Sequence, residues 1–245
     1  AKENHYNLRI RSALFFSISE IKDINSPLSN ALPSASDFTE FMVKLGLPND
    51  GKKVIVYDQT GLGYAPRGYF MLKYYGYPQV SILNGGLVKW LKEGRPTDSG
   101  IYPLMQNTAE SLEQYQYVEN KDMVVLYEEI VSLLSSIENG SGSSILWDPR
   151  PSNIFEAGHV PHSINLPTLS LLTDKKTVKP REELIKILED HGIYINSRVI
   201  GTCLKGNTSC VAYVILKHIG NPHVRMYGGS YEEWKLKEAK LTEAN

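Results

Sequence analysis

The sequence predicts an α/β protein built as two tandem copies of one unit, each a parallel sheet flanked by helices. Three observations carry this. Short apolar, β-prone runs alternate with helical stretches, the order that parallel sheets require. The succession strand, glycine-bearing loop, helix, Gly–Pro break, short strand and Gly-rich turn with a tryptophan occurs twice. The two occurrences are offset by about 145 residues almost without gaps, the self-similarity of a duplicated unit. A length of 245 residues suits one large or two ordinary domains, each able to bury a core.

In the first copy, residues 53–58 form an apolar strand ending in one polar residue, Asp58. A loop with glycines follows, then a helix over 66–75 that stops at Gly76-Tyr77-Pro78, where glycine and proline end it. Residues 80–83 are a short strand, and Asn84-Gly85-Gly86 with Trp90 comes next. The polar, weakly periodic stretch 107–121 reads as a linker, which sets a first domain at 1–106 and a second at 122–245. The second copy opens with a strand over 144–148. It then repeats the pattern with strand 198–202, loop 203–209, helix 210–219, the break Gly220-Asn221-Pro222, strand 224–227, and Gly228-Gly229-Ser230 with Trp234.

Composition narrows the function classes. A net charge of −1 gives no case for nucleic acid or an anionic membrane as partner. No apolar run approaches the roughly 18 residues of a membrane span. Two cysteines in a chain of this length make a disulfide framework improbable and suit a reducing compartment. Cytosol and mitochondrial matrix both fit.

Cys203 is the chemically richest position. It opens Cys203-Leu204-Lys205-Gly206-Asn207-Thr208-Ser209 at the end of a strand, in a short loop that feeds a helix. Successive backbone N–H groups in such a loop converge on one point, and a helix N-terminus adds positive potential there. Both favour a thiolate, the nucleophilic form of the side chain. Lys205 adds a formal positive charge to the same rim. Cys203 is therefore the candidate nucleophile. Cys210 falls inside the following helix, in an apolar run, and reads as a small buried core residue.

Taken together, these motifs carry a resemblance. Strand–Cys-x-x-Gly-x-Thr–helix, Gly-Ser-x-x-x-Trp downstream and Ala157-Gly158-His159-Val160-Pro161-His162-Ser163-Ile164-Asn165-Leu166-Pro167 upstream are similar to a rhodanese. More narrowly, the chain resembles the two-domain sulfurtransferases that act on thiosulfate or 3-mercaptopyruvate. Ser26-Pro27-Leu28, Leu32-Pro33-Ser34 and Ala65-Pro66-Arg67 match that family's first domain. The resemblance implies two tandem rhodanese-like domains, the second catalytic. The first is a copy with aspartate at the cysteine position, as Asp58 is here, and a carboxylate cannot take up a sulfane sulfur.

It also implies a ping-pong transfer without cofactor or metal. The Cys203 thiolate takes the outer sulfur of a small-molecule donor as a persulfide and passes it to cyanide or a thiol. The loop residues Leu204, Gly206, Asn207, Thr208 and Ser209 would cradle the charged terminal sulfur with their amides. The hydroxyls of Thr208 and Ser209 serve either that sulfur or the cap of the next helix. Family members with basic residues after the cysteine favour thiosulfate, and those with small neutral ones favour mercaptopyruvate. Leu204 and Lys205 are mixed and lean toward thiosulfate. Arg150, which follows strand 144–148 in an Asp-x-Arg match, is the second candidate anion clamp, with a surface ion pair to Asp148 as its other reading.

Some positions depart from the family pattern. No second arginine stands between 151 and 157, and Asn207 and Gly228 replace an apolar residue and an aspartate. Family first domains place a helix and a strand ahead of the segment matching Ile10 to Phe16, and here only a few residues precede it. The first domain is thus expected to be incomplete. Either residues upstream of Ala1 or another protein chain would cover the exposed apolar surface. Two other classes compete. A phosphatase with this fold needs an arginine six positions after the cysteine, and that position is Ser209. A degenerate, non-enzymatic subunit of a larger, mitochondrial assembly is the stronger alternative.

Overall fold

A computed structural model describes residues 1–101 and 115–243. They fall into two compact units. The first gathers Ala1–Ile24, the described part of Leu32–Asn120, and Asp174–Thr177. The second gathers Asn25–Ala31, Lys121–Thr173 and the chain from Val178 onward. Each unit thus takes one short segment from the sequence of the other half.

The first unit contains α1 (Lys2–Asn7), β1 (Arg9–Ile10), α2 (Ala35–Leu45), β2 (Val54–Val56), α3 (Ala65–Tyr74), β3 (Val80–Ile82), α4 (Gly86–Lys92) and β4 (Thr97–Asp98). β2 and β3 pair in parallel, Ile55 opposite Ser81, as the strand–helix–strand pattern requires. β1 runs antiparallel to β4. Ser34 caps α2, its Oγ accepting the Asp37 N–H at 3.1 Å. Phe38 of α2 stacks on Tyr75 with ring centroids 3.8 Å apart, and Tyr117 meets Phe38 edge-on.

Most of the expected linker lies outside the described residues. Its described end up to Asn120 belongs to the first unit. Tyr115 and Tyr117 are buried, the Tyr117 hydroxyl donates to Leu47 O, and the Val118 and Asn120 amides donate to Tyr75 and Tyr74. Two aromatic side chains in a polar stretch suffice to dock it.

The second unit holds β5 (Val124–Val125), α5 (Tyr127–Glu138), β6 (Ser144–Asp148), α6 (Ser152–Glu156), β7 (Ser163–Asn165), α7 (Arg181–Glu189), β8 (Arg198–Gly201), α8 (Ser209–Ile219), β9 (Arg225–Tyr227) and α9 (Ser230–Glu243). Its five strands form one parallel sheet in the order β5-β9-β8-β6-β7. β8 pairs on both sides: Ile200 lies opposite Leu146 of β6 and Arg225 of β9. The central strands are apolar because helices cover both faces.

On one face α5 presents Ile130 and Leu134, one turn apart, to Val125, Leu146, Ile200 and Trp234. Glu128 and Glu129 in its first turn suit the positive end of the helix dipole. α8 packs across β6, β8 and β9 and against α7. It buries Cys210, Val211, Ala212, Ile215, Leu216 and Ile219, so almost every side of it is apolar.

β6 is an interior strand, between β8 and β7. Among the described residues β2 pairs with β3 and has no strand on its other side. Ile55 of β2 is 56% exposed, whereas Ile200, its counterpart in β8, is 5% exposed.

Candidate active site

In a parallel sheet, ligands gather at the carboxyl ends of the strands. The segments leaving β6, β8 and β9 carry Arg150, Cys203 and Ser230 to that edge. Cys203 sits two residues past the end of β8 and is 1% exposed. The Gly206 N–H donates to its Sγ at 3.1 Å. Gly206 has φ +79°, in the left-handed region that glycine adopts freely, and this turns the loop back on the sulfur.

Beyond Gly206 the chain enters α8, and the Asn207 and Thr208 carbonyls accept from the amides of Cys210 and Val211. Thr208 occupies the N-cap position, yet its side chain makes no capping hydrogen bond. The Ser209 hydroxyl, also offered as a cap, is buried and has no hydrogen-bond partner among the described residues, and the same holds for Asn207 Oδ1 and the Thr202 hydroxyl. Cys210 is fully buried in α8, its Sγ 3.4 Å from Gly206 O.

The turn from β9 into α9 closes the other side of the sulfur. The Ser230 Oγ accepts the Cys203 N–H at 3.2 Å, donates to Tyr227 O at 2.9 Å, and stands 3.9 Å from Cys203 Sγ. Ser230 has φ +51°, uncommon for a residue with a Cβ and characteristic of positions held by their surroundings. The next two amides, of Tyr231 and Glu232, donate to Cys203 O and Leu204 O at 2.9 Å each. The start of α9 is thereby tied to the cysteine loop.

Lys205 lies on the exposed rim, as its position in the loop implies. Its Nζ is 3.8 Å from Glu232 Oε1. Glu232 in turn accepts the Ser29 N–H at 2.7 Å and the Ser29 hydroxyl at 2.5 Å, and Asn30 Nδ2 donates to Lys205 O at 3.2 Å. These bonds explain why residues 25–31 belong to the second unit.

Arg150 is almost fully buried in the turn after β6. Its Nε and Nη2 bind Asp148 at 2.9 and 2.6 Å, and Nη2 also donates to Gly158 O at 2.9 Å. The ion pair is an interior one, not a surface contact. The guanidinium also faces the ring of Tyr231 at 5.9 Å, a cation–π distance.

Ser230, Glu232 and Ser29 were not among the residues the sequence nominated. The Gly-Ser-x-x-x-Trp motif, whose first-copy counterpart has Gly86 in place of the serine, carried a signal for Ser230. Glu232 and Ser29 carried none, because their contacts join segments 203 positions apart.

The first unit repeats the loop with a carboxylate. Asp58 Oδ1 accepts from the amides of Thr60 and Gly61, and Oδ2 from those of Tyr64 and Ala65. Gly61 and Gly206 are each three residues past the acceptor. Burial alone would raise the Asp58 carboxyl, and the four amide donors outweigh it, holding the group below its ordinary range.

Fold and site together define a duplicated parallel α/β protein in which one copy presents a buried cysteine and the other a carboxylate in matching loops. The rhodanese-like domain family matches residues 2–93 and 131–237, and the chain belongs to that family. Thiosulfate sulfurtransferase of Rattus norvegicus is 33% identical over 243 residues, spanning 96% of this chain and 80% of that protein. The 3-mercaptopyruvate sulfurtransferase of Escherichia coli (strain K12) is 31% identical, spanning 95% and 82%. The crystal structure of SseA from Escherichia coli superposes with a TM-score of 0.82 at 30% identity, covering 94% of this chain and 86% of that one.

Proposed function

We propose that this chain is a sulfurtransferase that moves a sulfane sulfur through a persulfide on Cys203. The observation that carries this is the environment of Cys203 Sγ, buried beneath the Gly206 amide at 3.1 Å with the Ser230 hydroxyl at 3.9 Å. The amide donor favours negative charge on sulfur. In the forward step the thiolate attacks the outer sulfur of the donor. A new S–S bond forms on Cys203, and the donor's bond to that sulfur breaks. With thiosulfate, sulfite leaves with the electron pair; with 3-mercaptopyruvate, the enolate of pyruvate does. An acceptor such as cyanide or a thiolate then attacks the terminal sulfur and releases the Cys203 thiolate.

Thiosulfate is the better donor in this reading, because Lys205 places one cation on the rim near a doubly negative molecule. Leu204, Asn207, Thr208 and Ser209 complete the loop around the terminal sulfur. The buried Ser209 hydroxyl is a ready donor to it. Arg150 supports the site by holding Asp148 and Gly158 in place and facing Tyr231. Two free cysteines suit the reducing conditions of cytosol or mitochondrial matrix.

The test is mass spectrometry of the intact protein and of its Cys203 peptide after treatment with thiosulfate or 3-mercaptopyruvate. One added sulfur atom on Cys203, discharged by cyanide, is the expected result. No added sulfur with either donor would overturn the enzyme reading in favour of a non-enzymatic subunit.

A further inference from the structure

The pairing on the rim of the site carries an inference that rests on the sulfurtransferase reading and extends it. Lys205 is the cation nearest the cysteine in sequence, and Glu232 Oε1 stands 3.8 Å from its Nζ. Glu232 is not a mobile surface group. Its side chain is 19% exposed, its carboxylate is bound by both the N–H and the hydroxyl of Ser29, and its own amide is fixed to Leu204 O. The carboxylate is therefore held where it is, while Lys205, on a flexible stem with 46% of its side chain exposed, is the partner that can move.

We propose that Glu232 is a specificity-determining residue: it holds and neutralises the Lys205 ammonium and so penalises a doubly charged donor relative to a singly charged one. A dianion must draw the ammonium away from a fixed carboxylate and then sit near that carboxylate. A monoanion meets a weaker form of the same penalty. Glu232 thus tempers the preference for thiosulfate that Lys205 confers, and Ser29, contributed by the segment 25–31, keeps it in position.

The experiment separates binding from turnover. Thiosulfate, a dianion, and methanethiosulfonate, a monoanion with the same reactive sulfur, are titrated calorimetrically into the Cys203→Ser protein, which cannot turn over. The same titrations are made with Glu232→Gln and with Lys205→Ala added singly and together. Glu232→Gln should tighten thiosulfate by about two- to fivefold, the range expected of a partly exposed ion pair. Methanethiosulfonate should change by less than half as much, and the thiosulfate gain should vanish in the Lys205→Ala background. Equal changes for both anions, no change for thiosulfate, or a gain that persists without Lys205 would each overturn the proposal. Absence of turnover in the unmodified protein would bear on the sulfurtransferase reading alone, since these affinities do not depend on it.

Discussion

Gly158 abuts the hydroxyl end of Tyr231: a Cβ at position 158 would come within 2.6 Å of the phenol Cζ. Gly158 also has φ +147°, and its carbonyl receives the Arg150 guanidinium. Tyr231 follows Ser230, whose Oγ bonds the Cys203 amide. One glycine therefore lets the segment after β6, the arginine and the start of α9 approach one another.

Gly158→Ala should lower stability by about 1–3 kcal/mol through overpacking and reduce kcat more than the thermal shift accounts for, because Tyr231 and Ser230 would be displaced together. Thermal denaturation and steady-state kinetics on the same preparation check this. A variant with an unchanged kcat would show that the α9 turn adjusts without moving Ser230.

Sulfur transfer should be abolished by Cys203→Ser and largely retained by Cys210→Ser. The Cys210 sulfur faces Gly206 O from inside α8, and a serine hydroxyl keeps that contact. The assay is thiocyanate formation from thiosulfate and cyanide. Residual activity in Cys203→Ser would move the nucleophile elsewhere.

Lys205→Ser should reduce kcat/KM for thiosulfate by about ten- to a hundredfold, the worth of a charged hydrogen bond of about 1.5–3 kcal/mol. The loss with 3-mercaptopyruvate should be smaller. Equal losses for both donors would mean that Lys205 shapes the loop instead of selecting the substrate.

Asp58→Ala should leave the chemistry at Cys203 unchanged and destabilise the protein by about 1–3 kcal/mol, since four amides, two of them part-buried, lose their acceptor. The sign of the pH effect follows from the depressed carboxyl. Its contribution is whole above the ordinary value of 3.8 and is lost as pH falls through the lower folded value. The unmodified protein should therefore lose more stability than Asp58→Asn between about pH 4 and pH 2. Chemical denaturation across that range, giving parallel curves for the two proteins, would contradict this.

Ile55, exposed on a strand with one free side among the described residues, is the expected seed of self-association. Ile55→Lys should give a lower scattering mass and a narrower size distribution than the unmodified 245-residue chain. If the unmodified chain is already monodisperse as a monomer, the edge of β2 is not adhesive.

Much of this was legible in the residues, and the parts that were not have a common cause. Strand 144–148, strand 80–83 with its observed end one residue earlier at Ile82, and the helix before Gly220 follow from apolar runs bounded by glycine and proline. The observed helices begin one residue early, at Ala65 and Ser209, because small residues accept the first helical position and periodicity alone does not mark it. Cys203 and Gly206 stood out because strand, glycine and helix are neighbours in sequence. Asp148 was legible as a partner of Arg150, whereas the burial of the pair and the bond to Gly158 O show only in the folded chain. Glu232 and Ser29 were illegible, because their role depends on a segment of the first half joining the second.

The carboxylate in the first loop also decides how the two copies meet oxidants. A nucleophilic thiolate is carried by peroxide through sulfenic to sulfinic and sulfonic acids, each bulkier than the sulfur it replaces. Under Gly206, in a site that leaves Cys203 almost no exposed surface, that growth must push the loop away from the start of α9. Asp58 has no such ladder, and its oxygens already carry four amides. Oxidation at this loop position is therefore confined to the second copy, while the first keeps its loop carboxylate whatever the redox state of its surroundings.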